Sequence, residues 1–292
     1  MTEALAKATR LPCWKGKVDP QPLGGGITNR NFTVDDGSKR YVVRIGDDIP
    51  VHGVMRFNEL NASRAAHAAG LSPEIVYSEP GAMVMRFVEG KTLTEADVRD
   101  PGVLKRILPL IHCCHSEVMG KLRGPVLAFW VFQVNRDYAA TLREGGSRMV
   151  GELSRLMHIN DELETACQPV NVVFGHNDLL CGNFIDTGEK IWLIDWDYAG
   201  FNSPLFDLAN VASNNDFAEE QERWLLETYF EAAVDDGLWR RYSAMKVGSL
   251  LRESMWSMVS EIHSDIDFDY VTYTEENLAR FEAAHTAFSE LT

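Results

Sequence analysis

Three oxygen-bearing side chains, Asp178, Asn183 and Asp195, stand in an order and at spacings that suit phosphoryl transfer. The first two belong to His176-Asn177-Asp178-Leu179-Leu180-Cys181-Gly182-Asn183, a carboxylate followed five positions on by an amide. The third ends the apolar run Ile191-Trp192-Leu193-Ile194. Moving a phosphoryl group asks for little covalent chemistry from a protein. It needs a carboxylate to receive the proton of an attacking hydroxyl, and hard oxygens to hold Mg²⁺ against phosphate. Asp178 is the candidate base, and Asn183 and Asp195 are the candidate metal ligands.

The surrounding pattern supplies elements to place them. Strands are predicted at 31–34 and 41–45, flanking Asp35-Asp36-Gly37-Ser38, which is hairpin chemistry. A helix is predicted at 54–69, stopped by Gly70 and Ser72-Pro73. Strands at 74–78 and 82–87 flank the Glu79-Pro80-Gly81 turn, and Val88-Glu89-Gly90-Lys91 reads as a linker. Beyond it, apolar residues recur at three- and four-residue spacing, predicting helices at 103–118, 136–143, 152–167, 205–212, 219–233, 238–262 and 275–291. Residues 171–195 carry the strands and loops of the candidate site.

Taken in this order, residues 23–281 resemble the choline/ethanolamine kinase family, within the aminoglycoside-phosphotransferase-like group of protein-kinase-fold enzymes. The resemblance implies an α+β, bilobal protein-kinase-like fold. A small β-rich lobe at 1–88 would bind nucleotide, and a larger, mainly helical lobe at 89–292 would carry catalysis and the acceptor. It implies ATP and Mg²⁺ as cofactors, and transfer of the γ-phosphoryl group to the hydroxyl of choline or ethanolamine. His176 then supports the loop, and Asp207 holds it through backbone N–H groups.

On the nucleotide side, Leu23-Gly24-Gly25-Gly26-Ile27-Thr28-Asn29-Arg30-Asn31 resembles the family's phosphate-covering loop, with Thr28 and Asn29 adding hydrogen bonds. Arg44 takes the strand position where protein kinases carry lysine, and Glu59 is its expected partner. Backbone groups of Arg86 and Val88 would read adenine. On the acceptor side, Asp197, Tyr198, Trp256, Phe268, Tyr270 and Tyr273 match the family's pocket positions. A quaternary ammonium donates no conventional hydrogen bond, so aromatic faces and carboxylates must hold it. Glu253 departs from the pattern, standing where many relatives have an aromatic residue, and leaves choline against ethanolamine open. Other acceptors of the same chemistry are an aminoglycoside, thiamine or another amino alcohol. His176-Asn177-Asp178 favours the choline branch over the His-Gly-Asp of aminoglycoside kinases. A catalytically silent ATP-binding scaffold is the reading of another class, and the intact Asp178, Asn183 and Asp195 argue against it.

The 292 residues and 45% hydrophobic content suffice for a sizeable core. A net charge of -15 repels phosphate backbones, so nucleic acid is not an expected partner. Apolar runs are too short for membrane insertion, and residues 1–10 are polar and mixed, without a signal-peptide centre. The expectation is a cytoplasmic protein whose five scattered cysteines are reduced. Its expected partners are ATP and a small cationic alcohol, with a homodimer left open. The adjacent ligand types of His112-Cys113-Cys114-His115 diverge around a helix, so no zinc site is read there.

Overall fold

Alternating burial along the early strands builds an antiparallel sheet. The computed structural model describes residues 2–24, 29–264 and 266–291. Helix α1 (Thr2–Arg10) is followed by β1 (Gln21–Leu23), β2 (Arg30–Asp36), β3 (Lys39–Ile45), α2 (Arg56–Ala68), β4 (Ile75–Glu79) and β5 (Ala82–Arg86). The sheet order is β1-β2-β3-β5-β4, with every pair antiparallel. Gly37 and Gly81, with φ of 64° and 71°, close the two hairpins at the expected turns. Phe32, Val34, Val43 and Val84 point to one face and pack against Ala8 and Leu11. Helix α1 was not expected from the mixed composition of residues 1–10. It is held by that small apolar face and by Lys7 Nζ, which donates to Pro80 O at 2.8 Å.

The rest is mainly helical. It comprises β6 (Lys91–Thr92), α3 (Glu95–Arg99), α4 (Pro101–Cys113), α5 (Val131–Glu144), α6 (Leu153–Ala166), β7 (Val173–Gly175), β8 (Phe184–Asp186), β9 (Ile191–Leu193), β10 (Gly200–Asn202), α7 (Pro204–Asn214), α8 (Glu219–Phe230), α9 (Asp236–His263) and α10 (Tyr270–Ser289). Strands β6-β8-β9 form one small sheet and β10-β7 another. Helix α9 is buried over most of its length and packs on α5, α6, α7 and α10 around a second, larger core. None of the described helices is long and apolar enough to cross a membrane. Helix α10 starts at Tyr270 rather than 275 because Asp269 caps it, accepting from Thr272 N at 3.0 Å. That earlier start puts Tyr270 and Tyr273 on a helix instead of in a loop.

Two contacts fix how the helical part meets the sheet. Ala62, Ala65 and Ala66 of α2 belong to the larger core, although α2 lies among the sheet strands in sequence. On the same helix, Asn58 donates to Ala199 O at 2.8 Å and accepts from Leu127 N at 2.8 Å. Beside them, β10 approaches residues 127–129 so closely that a Cβ on Gly200 would lie 2.8 Å from Leu127 O. Backbone cannot yield there as a side chain would. Gly200→Ala is therefore expected to cost about 1–3 kcal/mol, read as a lower urea midpoint at unchanged m-value.

Candidate active site

The loop that carries Asp178 is built around one buried carboxylate. Asp207, near the start of α7, accepts from His176 N at 2.8 Å, Asn177 N at 2.7 Å and His115 Nε2 at 2.9 Å. Burial pushes its pKa up, but the His115 hydrogen bond and the neighbouring positive partial charges outweigh that, leaving it below the usual carboxylate range. His115 Nδ1 lies 2.7 Å from Tyr229 Oη, so the phenol can donate to it while Nε2–H serves Asp207. His115 thus belongs to this network.

Asn177 sits at φ 65°, a left-handed conformation that Asn tolerates better than most side chains. Its Nδ2 donates to Tyr198 O at 3.0 Å and Gly200 O at 3.2 Å, tying the loop to the segment after Asp195. His176 is fully buried. Its Nε2 donates to Ile194 O at 3.0 Å and its Nδ1 accepts from Asp178 N at 3.3 Å, an arrangement that needs the neutral ring. Burial lowers its pKa, consistent with that form.

Asp178 and Asn183 are brought together: Asn183 Nδ2 donates to Asp178 O at 2.8 Å, which fixes the amide's orientation. Asp195 follows β9 at φ 66°, and Ile194 N donates to Asn183 O at 3.0 Å, so the two candidate ligands share a short framework. An amide oxygen and a carboxylate are the hard donors that Mg²⁺ takes, with waters and phosphates completing its shell. The residues fit that ion. Burial raises the pKa of Asp178 to about 7, with Arg252 pulling it down and Asp195 and Glu253 pushing it up.

Next to them lies a buried charge cluster. Arg44 Nη1 contacts Glu59 Oε1 at 2.5 Å and Asp197 Oδ1 at 3.0 Å, and its Nη2 contacts Asp195 Oδ2 at 2.9 Å. The expected Arg44–Glu59 pair is thus formed. Arg56, which sequence reasoning did not single out, reaches both Glu59 at 2.6 Å and Asp197 at 3.0 Å. Its signal was the i,i+3 spacing to Glu59 on the same helix. Burial, Asp195 and Glu59 push the pKa of Asp197 up, whereas Arg44 outweighs burial at Asp195 and holds it down. Asn29 Nδ2 donates to Asp197 Oδ2 at 3.3 Å. Thr28 lies outside the described residues. Arg86 N donates to Glu74 O at 2.9 Å, so its amide is committed to the sheet, and Val88 is half-buried just beyond β5.

A model of the choline/ethanolamine kinase family matches residues 21–282. The chain belongs to this family. It is a phosphotransferase with an alcohol group as acceptor, on an α+β, bilobal protein-kinase-like fold. Among its relatives, Protein LicA of Haemophilus influenzae is 24% identical over 278 residues, spanning 91% of this chain and 79% of that protein. Ethanolamine kinase 2 of Mus musculus is 25% identical over 297 residues, spanning 90% and 75%. The crystal structure of a choline/ethanolamine kinase family protein from Mesorhizobium loti is 26% identical, with a TM-score of 0.78 over 100% of this chain and 99% of that one.

The acceptor-side aromatic residues expected in a kinase of this family do cluster. Trp256 Nε1 donates to Tyr198 Oη at 2.9 Å. Its ring lies 6.1 Å from Tyr270 and 6.5 Å from Tyr273, and Phe268 lies 4.9 Å and 5.6 Å from the same two. Phe268 is largely exposed, whereas Trp256, Tyr198 and Tyr270 are buried. Glu253 is already engaged, accepting from Arg252 Nη1 at 2.9 Å and from Tyr273 Oη at 2.9 Å.

The His52 ring lies 5.0 Å from that of Trp256, and burial, with the charges of Arg252 and His263, lowers its pKa from 6.5 to about 3. Below pH 6.5 an unfolded His52 takes up a proton that the folded one refuses. Its contribution is present above that pH and lost as pH falls towards about 3, by up to roughly 5 kcal/mol. His52→Gln is expected to flatten the stability profile between pH 6.5 and 5, measured by urea unfolding against wild type.

Proposed function

We propose that this chain transfers the γ-phosphoryl group of ATP, with Mg²⁺, to the hydroxyl of a small amino alcohol of the choline or ethanolamine kind. The observation that carries the reading is the placement of Asp178 beside Asn183, joined through Ile194 to Asp195. The acceptor oxygen bonds to the γ-phosphorus. The bond to the β–γ bridging oxygen breaks, its electron pair leaving with ADP, and Asp178 takes the hydroxyl proton. Asn183 and Asp195 would hold the metal, which when bound neutralises charge on the phosphate oxygens.

Arg44, carried by the sheet, steadies phosphate oxygens, and Asn29 and Thr28 contribute from the loop above. The Arg86 carbonyl and backbone groups of Val88 would read the adenine edge. Most of the rate gain comes from positioning and fixed charge.

ADP release with Mg²⁺ and ATP tests the reading across choline, ethanolamine, thiamine and kanamycin. Turnover of an amino alcohol is expected, with kcat falling about 10²–10⁴-fold in Asp178→Asn while the KM for ATP shifts less than about threefold. Unchanged kcat in the variant contradicts Asp178 as the base, and turnover of kanamycin or thiamine alone moves the acceptor class.

A further inference from the structure

A cavity of about 280 Å³ opens between α5, the turn at Pro50–His52 and the segment after Asp195. Phe129, Tyr138 and Tyr198 give it aromatic walls, and Asp137 and Asp197 are its carboxyl groups. Among the described residues that line it, none is lysine or arginine. His52 also lines it, 7% exposed, with Nε2 3.2 Å from Ser260 Oγ and Nδ1 without a partner among the described residues. Burial keeps that ring neutral, so it sets no positive charge against a ligand. Arg252 stacks on Tyr198 at 4.2 Å from outside the lining, and its Nη1 is paired with Glu253 at 2.9 Å.

The two carboxyl groups differ. Asp197 is buried and already meets Arg44 and Arg56, each at 3.0 Å. Asp137, on the second turn of α5, is exposed, and among the described residues it makes no hydrogen bond or ion pair. An open carboxylate on the wall of an aromatic-lined cavity suits an ammonium, which is held by opposite charge and by ring faces. The cavity also adjoins the transfer site. Arg44 Nη1 stands 3.0 Å from Asp197 Oδ1 and 3.0 Å from Asp195 Oδ1, so the cavity's inner wall and a candidate metal ligand share one nitrogen. The Trp256 cluster offers a ligand less. Trp256 Nε1 donates to Tyr198, Tyr273 Oη donates to Glu253, and Tyr270 Oη lies 2.9 Å from Ser264 Oγ, so its polar edges are bonded within the protein.

We propose that Asp137 binds the ammonium of the acceptor in this cavity, making it the residue that selects a cationic alcohol. The proposal rests on the kinase reading above and deepens it by naming where the acceptor's charge sits.

Alcohol pairs that differ only in charge test it: choline against 3,3-dimethylbutan-1-ol, and ethanolamine against propan-1-ol. Calorimetry with MgADP present gives Kd for each with wild type, Asp137→Asn and Gln133→Lys, the last at an exposed position lining the same cavity. Wild type is expected to bind the cation of at least one pair roughly tenfold more tightly than its neutral partner. Asp137→Asn is expected to weaken that cation about fivefold and to leave the neutral alcohol unchanged, and Gln133→Lys to do likewise through repulsion. Both positions are exposed on α5, so both variants are expected to keep the wild-type urea midpoint. Equal cation affinity in wild type and Asp137→Asn overturns the proposal, as does equal weakening of the neutral alcohol. A wild type that binds neither cation more tightly than its partner also overturns it. ADP release with MgATP reads the kinase step separately. A cation bound through Asp137 but never phosphorylated overturns the kinase reading and leaves the ammonium site standing.

Discussion

Buried Arg44 and half-buried Arg56, set among three carboxylates, hold the sheet and the helical part in register. Arg44 comes from the sheet, Arg56 and Glu59 from α2, and Asp195 and Asp197 from the segment after β9. Buried carboxylates persist only when paired, and removing one partner strands the rest. The sheet therefore cannot shift against the Asp195 segment without breaking several pairs at once. The cluster sets three carboxyl groups against two guanidiniums. Trp196 between the two acids is buried against His176 at 4.7 Å and donates to Ser72 Oγ at 3.3 Å, so the chain alternates charge and anchor there.

Asp178 is positioned by a second device with a different logic. Asp207 gathers two backbone amides and an imidazole, and the neutral His176 bridges Ile194 to Asp178. The loop is thus pre-formed by hydrogen bonds from its own backbone and from the side chains packed around it. Helix α9 supplies Arg252, Glu253 and Trp256 from consecutive turns, and α10 supplies Tyr270 and Tyr273. The pairing of these two helices sets how these side chains meet.

Much of this was legible from residue order. The hairpin glycines, the stop at Gly70 and the helical periodicities gave the elements to within a few residues, because turn chemistry and apolar spacing are local. The juxtaposition of Asp178 with Asn183 was readable for the same reason. What escaped was decided by tertiary contact. Helix α1 is stabilised by packing on the sheet rather than by its composition, and α5 begins at Val131, five residues before its predicted start. Neither Arg56 nor Arg252 was singled out individually in the sequence, and only the fold shows Arg252 buried and Arg56 half-buried. Glu253 left the head group of the acceptor open in the sequence, and in the fold its two oxygens are taken by Arg252 and Tyr273. No spacing rule anticipates such a pairing across helices.

The proposed phosphoryl transfer requires Asn183 and Asp195 to present oxygens to a metal that binds with the nucleotide. Calorimetric titration of ATP into wild type and Asp195→Asn, each with Mg²⁺ and with EDTA, tests this most directly. Wild type is expected to bind ATP about tenfold or more tightly with Mg²⁺, and Asp195→Asn to lose that dependence while still binding ATP. A variant that keeps the full Mg²⁺ dependence would contradict the assignment of Asp195 and, with it, the mechanism built on it.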